Sequence, residues 1–335
     1  MFEPPMHIPL GDQADSPEAA DAFATVCTKL PHITRPLLAE DLELNLQSTS
    51  PCGMDLEWLV TEGGSDADGD LVRLYIATVN EQFHLLAIAN RHTAAMRVLS
   101  KRLTDGHEVM SSHARPVLVA SITATRTLAP TITPERRICR VLATALAQAR
   151  FSDRIQDATT REYARAIDGG NKARAIDQVL ALIATTSFDV LRAKKDPDRI
   201  LAVAHGDVKE DLDWNIAPAA KALGFREEFI WFLTSGAAHT EPWATSNFNE
   251  GTTDLYATLA LGALVPSYDR FATAIGEHLG IDVTEMRAQV SEVEDRFTQR
   301  LMTILERAID ALPMDAPARQ MRDLRRIMPP FLGEP

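Results

Sequence analysis

The residues of this 335-residue chain best spaced to do chemistry lie in one stretch, "FLTSGAAHTEPWATSNF" (232–248). Ser235 and His239 are four apart, which on a helix puts both side chains on one face. Trp231, four before the serine, and Trp243, four after the histidine, extend the stripe. A histidine within reach of a serine hydroxyl can take its proton, the first requirement of nucleophilic catalysis. A serine hydrolase also needs a carboxylate to orient the imidazole, and no acid is spaced to act as that partner. Two readings remain. In one, His239 lines a cavity as acid or base, Ser235 orients it, and Trp231 and Trp243 wall the substrate. In the other, the pair is a buried polar staple between helices, with Gly236, Ala237 and Ala238 allowing close approach. Pro242 ends the helix near His239 or Thr240 in either case.

Arginines form the second group. Residues 111–165 carry nine of them against four acids, a basic segment in a chain of net charge −13. Arg115, Arg136 and Arg140 are therefore candidates for holding an anionic substrate; a solvated helix face is the plainer alternative. The overall acidity argues against a generic nucleic-acid coat.

Metal chemistry finds little support. Glu81 and His84 form one E-x-x-H, half of what a di-iron bundle uses, and no second copy follows it on a helix. His84, Ile88 and His92 share a face, the pattern of a packing stripe. "DADGD" (66–70) has its glycine at the fourth position, where a calcium loop needs it at the sixth. Cys27, Cys52 and Cys139 have no C-x-x-C spacing and suit a reducing compartment. Neither phosphate-cradling glycine pattern occurs. No metal and no cofactor are expected.

The elements that must position these residues read as helices. Ser16-Pro17-Glu18 starts one that should stop at Pro31, and another begins near Pro36. Residues 47–69 read as a loop. A long uninterrupted helix is expected from Asp70 to Arg102, about 45–50 Å at 1.5 Å per residue. Helices follow over about 116–128, from Pro134 to about Ile167 behind the Thr133 cap, over 171–187, at 217–223 and over 226–239. "RAKKDPDR" (192–199) reads as a charged connector, and "GDVKEDLDWNIAP" (206–218) as an acidic surface loop. A helix after Thr253 should kink or restart at Pro266. Asp282 and Glu285 cap the last long helix, 283–311, and a short basic helix lies at 318–327. No alternating strand run is evident. The expected fold is all-α, a large multi-helix bundle with several long helices. It divides into an N-terminal segment (1–69), a main bundle (70–312) and a C-terminal basic helix and tail (313–335). The N-terminus lacks a basic stretch leading into an apolar core, and "YATLALGALVP" (256–266) is too short to span a bilayer. A soluble, cytoplasmic protein is expected.

"FLTSGAAHTEPWA" resembles a motif of mostly actinobacterial, all-helical proteins: an aromatic residue, Ser-Gly-x-x-His, then Trp-Ala. Arg115-Pro116 and "PERRICR" (134–140) match an upstream Arg-Pro helix and a Pro-Glu-Arg helix start in those proteins. The likeness covers about residues 70–280. More remotely the chain resembles HEPN-like bundles, some of which are RNases built on an R-x4–6-H helix motif. Arg102/His107 and Arg199/His205 have that form. The first pair runs through Asp-Gly, which should break a helix, and the second does not share one face of a regular helix. The resemblance thus implies an HEPN-like bundle that binds a small-molecule ligand or a protein partner without catalysis. An enzyme using His239, and then an HEPN-type RNase, are the alternatives. A homodimer through a long apolar helix fits the same architecture.

Overall fold

A computed structural model describes residues 17–38, 49–64, 69–101, 107–163, 174–223 and 252–310. The described chain is predominantly helical, as expected, with one small sheet. Its helices are α1 (Pro17–Thr34), α2 (Pro51–Thr61), α3 (Asp70–Leu99), α4 (His107–Leu128), α5 (Pro134–Tyr163), α6 (Ala175–Ile183) and α7 (Ile216–Leu223). A continuous run from Thr252 follows, as α8 (Thr252–Ala257), a wide π segment (Thr258–Leu264), α9 (Val265–Phe271) and a second π segment (Ala272–Glu277); α10 (Thr284–Asp310) is the last.

Punctuation residues set many of the boundaries. Pro17 opens α1 with Glu18 in its first turn. The helix nevertheless runs through Pro31 to Thr34, whose hydroxyl bonds back to the Leu30 carbonyl at 3.2 Å. Burial of Leu30 and Thr34 holds that last turn together. Likewise α4 starts at His107 and passes through Pro116, a full two turns earlier than the proline suggested. At Pro266 the expected restart takes a specific form. Proline supplies no N–H to the preceding turn, and the helix arrives there through the wide-turn segment. Before α10, the Asp282 carboxylate accepts from the Thr284 amide at 2.9 Å.

Two expectations are corrected. Residues 51–61 are helical rather than loop: Ser50 Oγ accepts from the Gly53 amide at 3.0 Å and Pro51 takes the first helical position. This is the same Ser-Pro start that announced α1. Between α6 and α7, the connector and the acidic loop form an antiparallel sheet, β1 (Asp189–Ala193), β2 (Asp196–His205) and β3 (Val208–Asp211), in the order β1-β2-β3. Gly206, at φ 52°, starts the two-residue turn between β2 and β3. Alternation fails in β2 because Ala202, Val203 and Ala204 are consecutively buried, covered on both faces.

The core lies between α1, α3, α4, α5 and the 252–279 run, with Phe23, Tyr75, Leu86, Met96, Tyr256 and Phe271 sealed from solvent. α1 packs on α3 and α10, α4 lies along α3, and β2 and β3 pack on α5. Polar ties fix the register. Tyr268 donates to Asn90 Oδ1 at 2.7 Å, and Ser121 bonds Ser267 at 3.0 Å. No described helix is long and apolar enough to cross a membrane.

Candidate functional site

Trp231, Ser235, His239 and Trp243, with the helix expected at 226–239, lie outside the described residues. The expected C-terminal segment 313–335 lies outside them too. The arginine candidates are described, and α5 sorts them. Arg136, Arg137 and Arg140 follow the Thr133 cap, whose hydroxyl accepts from the Arg136 amide at 3.4 Å. Positions 136 and 140 are four apart and share a face; 137 is turned about 100° from 136. Arg137 therefore points into the core, while Arg136 and Arg140 face the sheet.

The inward arginine anchors a buried ion pair. Arg137 Nε and Nη2 donate to Asp55 Oδ2 and Oδ1 on α2, at 2.7 and 2.6 Å. Its Nη1 donates to the carbonyls of Ala129 and Ile132, at 3.0 and 2.8 Å, in the loop before α5. Tyr75 on α3 donates to Asp55 Oδ2 at 2.6 Å and lies 3.2 Å from His278 Nε2. Because the tyrosine proton goes to the carboxylate, the tyrosine oxygen accepts from His278 Nε2–H, which assigns the tautomer and leaves Nδ1 as a lone pair with no partner. Burial raises the Asp55 carboxyl to about 6, with Arg137 and then Tyr75 opposing that rise. Burial, and then the Arg137 charge, lower His278 to about 3. At neutral pH the set is one ion pair, one tyrosine and one neutral imidazole. Each of the four side chains is at most 1% exposed, so no substrate reaches them. Asp, Tyr and His in contact invite a catalytic reading; here they tie α2, α3, α5 and the end of the second π segment together.

The outward arginines meet a carboxylate from the sheet. Glu210 on β3 has its Oε1 3.0 Å from Arg140 Nε and 3.4 Å from Arg136 Nε, and its Oε2 3.2 Å from Arg126 Nη2 in the last turn of α4. Arg140 Nη1 also donates to the Arg126 carbonyl at 3.0 Å, closing the C-terminus of α4. The Arg126 guanidinium lies 4.7 Å from the centre of the Trp214 ring, a cation–π contact. Three guanidiniums pair with the single Glu210 carboxylate. Burial lowers the Arg126 pKa, Glu210 opposes that, Arg140 adds to the lowering, and Asp211 opposes it again. Glu210 is 11% exposed and Arg136 is 49% exposed, so the cluster is closed towards the protein and open on the Arg136 side. Beside it, His205 Nδ1 lies 2.6 Å from Glu135 Oε1, with the imidazole 5.0 Å from Trp58 and 5.3 Å from Phe188 between ring centres. This contact pins the end of β2 to the first turn of α5.

Arg115 does not join the cluster: it stands eleven residues before Arg126, about 16 Å along α4. Sequence reasoning missed Arg126, Glu210 and Trp214. The "GDVKEDLDW" run reads as a solvated loop from its acidity, and only the Gly-Asp pair at its start signals a hairpin. Arg199 and His205 lie on β2 rather than on a helix, about 20 Å apart at six strand steps, so this pair does not form an HEPN-type site. His84 and Ile88 are exposed, and His92 meets His113 of α4 with Nδ1 atoms 2.8 Å apart. Among the described residues no group of three or more His, Cys, Asp or Glu side chains is placed to hold a metal ion. No family model, curated protein or solved structure matches the chain.

Proposed function

We propose that this chain is a recognition protein, a helical bundle that binds an anionic ligand or the acidic segment of a partner without catalysing a reaction. One observation carries the reading. Arg126, Arg136 and Arg140 converge on Glu210, and with the Asp211 charge also acting on Arg126 the arginines still outnumber the carboxylates at a partly exposed place. Guanidiniums gathered this closely repel one another, and an added anion relieves that repulsion through bidentate, charge-assisted hydrogen bonds. The buried Asp55–Arg137 pair supports the site from behind by fixing the start of α5, and with it the outward face that carries Arg136 and Arg140. The net charge of −13 disfavours nucleic acid as the partner. In this reading the protein works in the cytoplasm, alone or as a homodimer, on a small molecule or another protein. No observation on the described residues favours an enzyme centred on His239 or an HEPN-type RNase.

The test is calorimetric titration at low salt with inorganic pyrophosphate, citrate and a hexaglutamate peptide. Saturable binding of at least one probe is expected, with loss of roughly tenfold or more in affinity for Arg136→Gln at unchanged helicity. If none of the three binds either the native protein or Glu210→Gln, the recognition reading is wrong.

A further inference from the structure

We infer that Glu210 is a built-in competitor occupying a phosphoryl site, and that the native ligand is a small phosphorylated molecule. The inference rests on the recognition reading above and adds to it both the ligand class and the group that must leave.

Charge is the first reason. A carboxylate brings one negative charge to three guanidiniums, whereas a phosphate monoester brings about −1.5 to −2 at pH 7. Oxygen count is the second. Glu210 has two oxygens for three arginines, so Arg136 and Arg140 both crowd Oε1 while Arg126 holds Oε2. That sharing leaves a defect: Arg140 Nε is buried and 3.0 Å from Oε1, yet makes no well-directed hydrogen bond. A terminal phosphoryl group presents three oxygens, one for each guanidinium. Access is the third reason. Glu210 sits on the four-residue edge strand β3, and Arg136 forms the solvent-facing rim. Freeing the site requires the Glu210 side chain to swing away from the arginines.

A cluster that only docks the sheet onto α5 behaves differently. In that case Glu210 is the needed counter-ion, and neutralising it weakens the fold without creating a ligand site. The experiment compares native protein with Glu210→Gln, by calorimetry and thermal melting, using inorganic phosphate, acetate, free phosphoserine and a phosphoserine hexapeptide. Glu210→Gln is expected to bind inorganic phosphate at least tenfold tighter than the native protein does. It should also gain melting temperature from phosphate but not from acetate, and bind the peptide no tighter than free phosphoserine. Equal or weaker phosphate binding by Glu210→Gln overturns the competitor role; when the native protein still binds an anion, the recognition reading survives that result. Equal binding of acetate and phosphate overturns the phosphoryl assignment, and a peptide tenfold tighter than phosphoserine overturns the small-molecule one. Should Glu210→Gln fail to fold, Arg136→Gln in the otherwise native protein decides. Phosphate affinity is then expected to fall about tenfold, and an unchanged affinity sinks the proposal.

Discussion

Asp55→Asn tests the support beneath the candidate site. The substitution keeps the shape of the side chain but removes the charge that receives Arg137 Nε and Nη2 and the Tyr75 hydroxyl, three hydrogen bonds of 2.7, 2.6 and 2.6 Å. Arg137, only 1% exposed, is left as a buried cation. Removing one partner of a buried ion pair costs about 3–5 kcal/mol. Arg137 keeps its bonds to the Ala129 and Ile132 carbonyls, so the lower end, about 3 kcal/mol, is expected. At roughly 2 °C per kcal/mol for a chain of this size, the melting temperature falls by about 6 °C. The double variant Asp55→Leu/Arg137→Met removes both charges and should be no less stable than Asp55→Asn, because an orphaned charge costs more than an absent pair. Thermal melting followed by circular dichroism gives both numbers. A loss below about 1 kcal/mol for Asp55→Asn, or a double variant well below it, would refute the reasoning that this pair acts as a unit.

Two further predictions concern titration and reactivity. The His278 pKa is lowered to about 3 in the fold from 6.5, so its contribution to stability is present above pH 6.5 and is lost progressively as pH falls towards 3. Asp55, raised to about 6 from 3.8, has the opposite sign: its contribution is present below 3.8 and is lost as pH rises through 6. The larger His278 displacement dominates, so melting temperature should fall on acidification from pH 6.5 to 4, and His278→Asn should flatten that fall; an unchanged slope in the variant counts against the buried neutral imidazole. Burial pushes Cys52 and Cys139 up to about 12 and raises Cys27 further, and all three are buried. At pH 8 a thiol at 12 is ionised in about one molecule in ten thousand, so iodoacetamide should label none of the three in the native protein and all three in urea. Rapid labelling of the native protein would contradict the packing around α1, α2 and α5.

What could be read from the chain alone followed from local rules. Ser16-Pro17, Thr133-Pro134 and Asp282 mark helix starts because capping and the proline ring act within a few residues, and α3 and α10 appear where breakers are absent. The second Ser-Pro pair, at 50–51, carries the same signal, but it stands in a stretch, 47–69, that its glycine-rich end makes read as a loop. The hairpin was harder to see. β2 is exposed throughout Asp196–Arg199 and buried on both faces over Ala202–Ala204, so its burial lacks the period of two that identifies a half-exposed strand. The basic character of residues 111–165 was visible as composition, but composition does not say which arginines face inwards. Helical geometry turns Arg137 away from Arg136 and Arg140, and only tertiary packing brings Asp55, 82 positions away, and Glu210, 84 positions from Arg126, to meet them. Tyr75 and His278 are 203 positions apart, and no local pattern relates them. Local sterics and hydrogen bonding decide where helices begin and end, and those are written in neighbouring residues. The sharing of charge between a core carboxylate, a strand glutamate and four arginines depends on which surfaces the folded chain brings into contact, and the tertiary structure alone decides that.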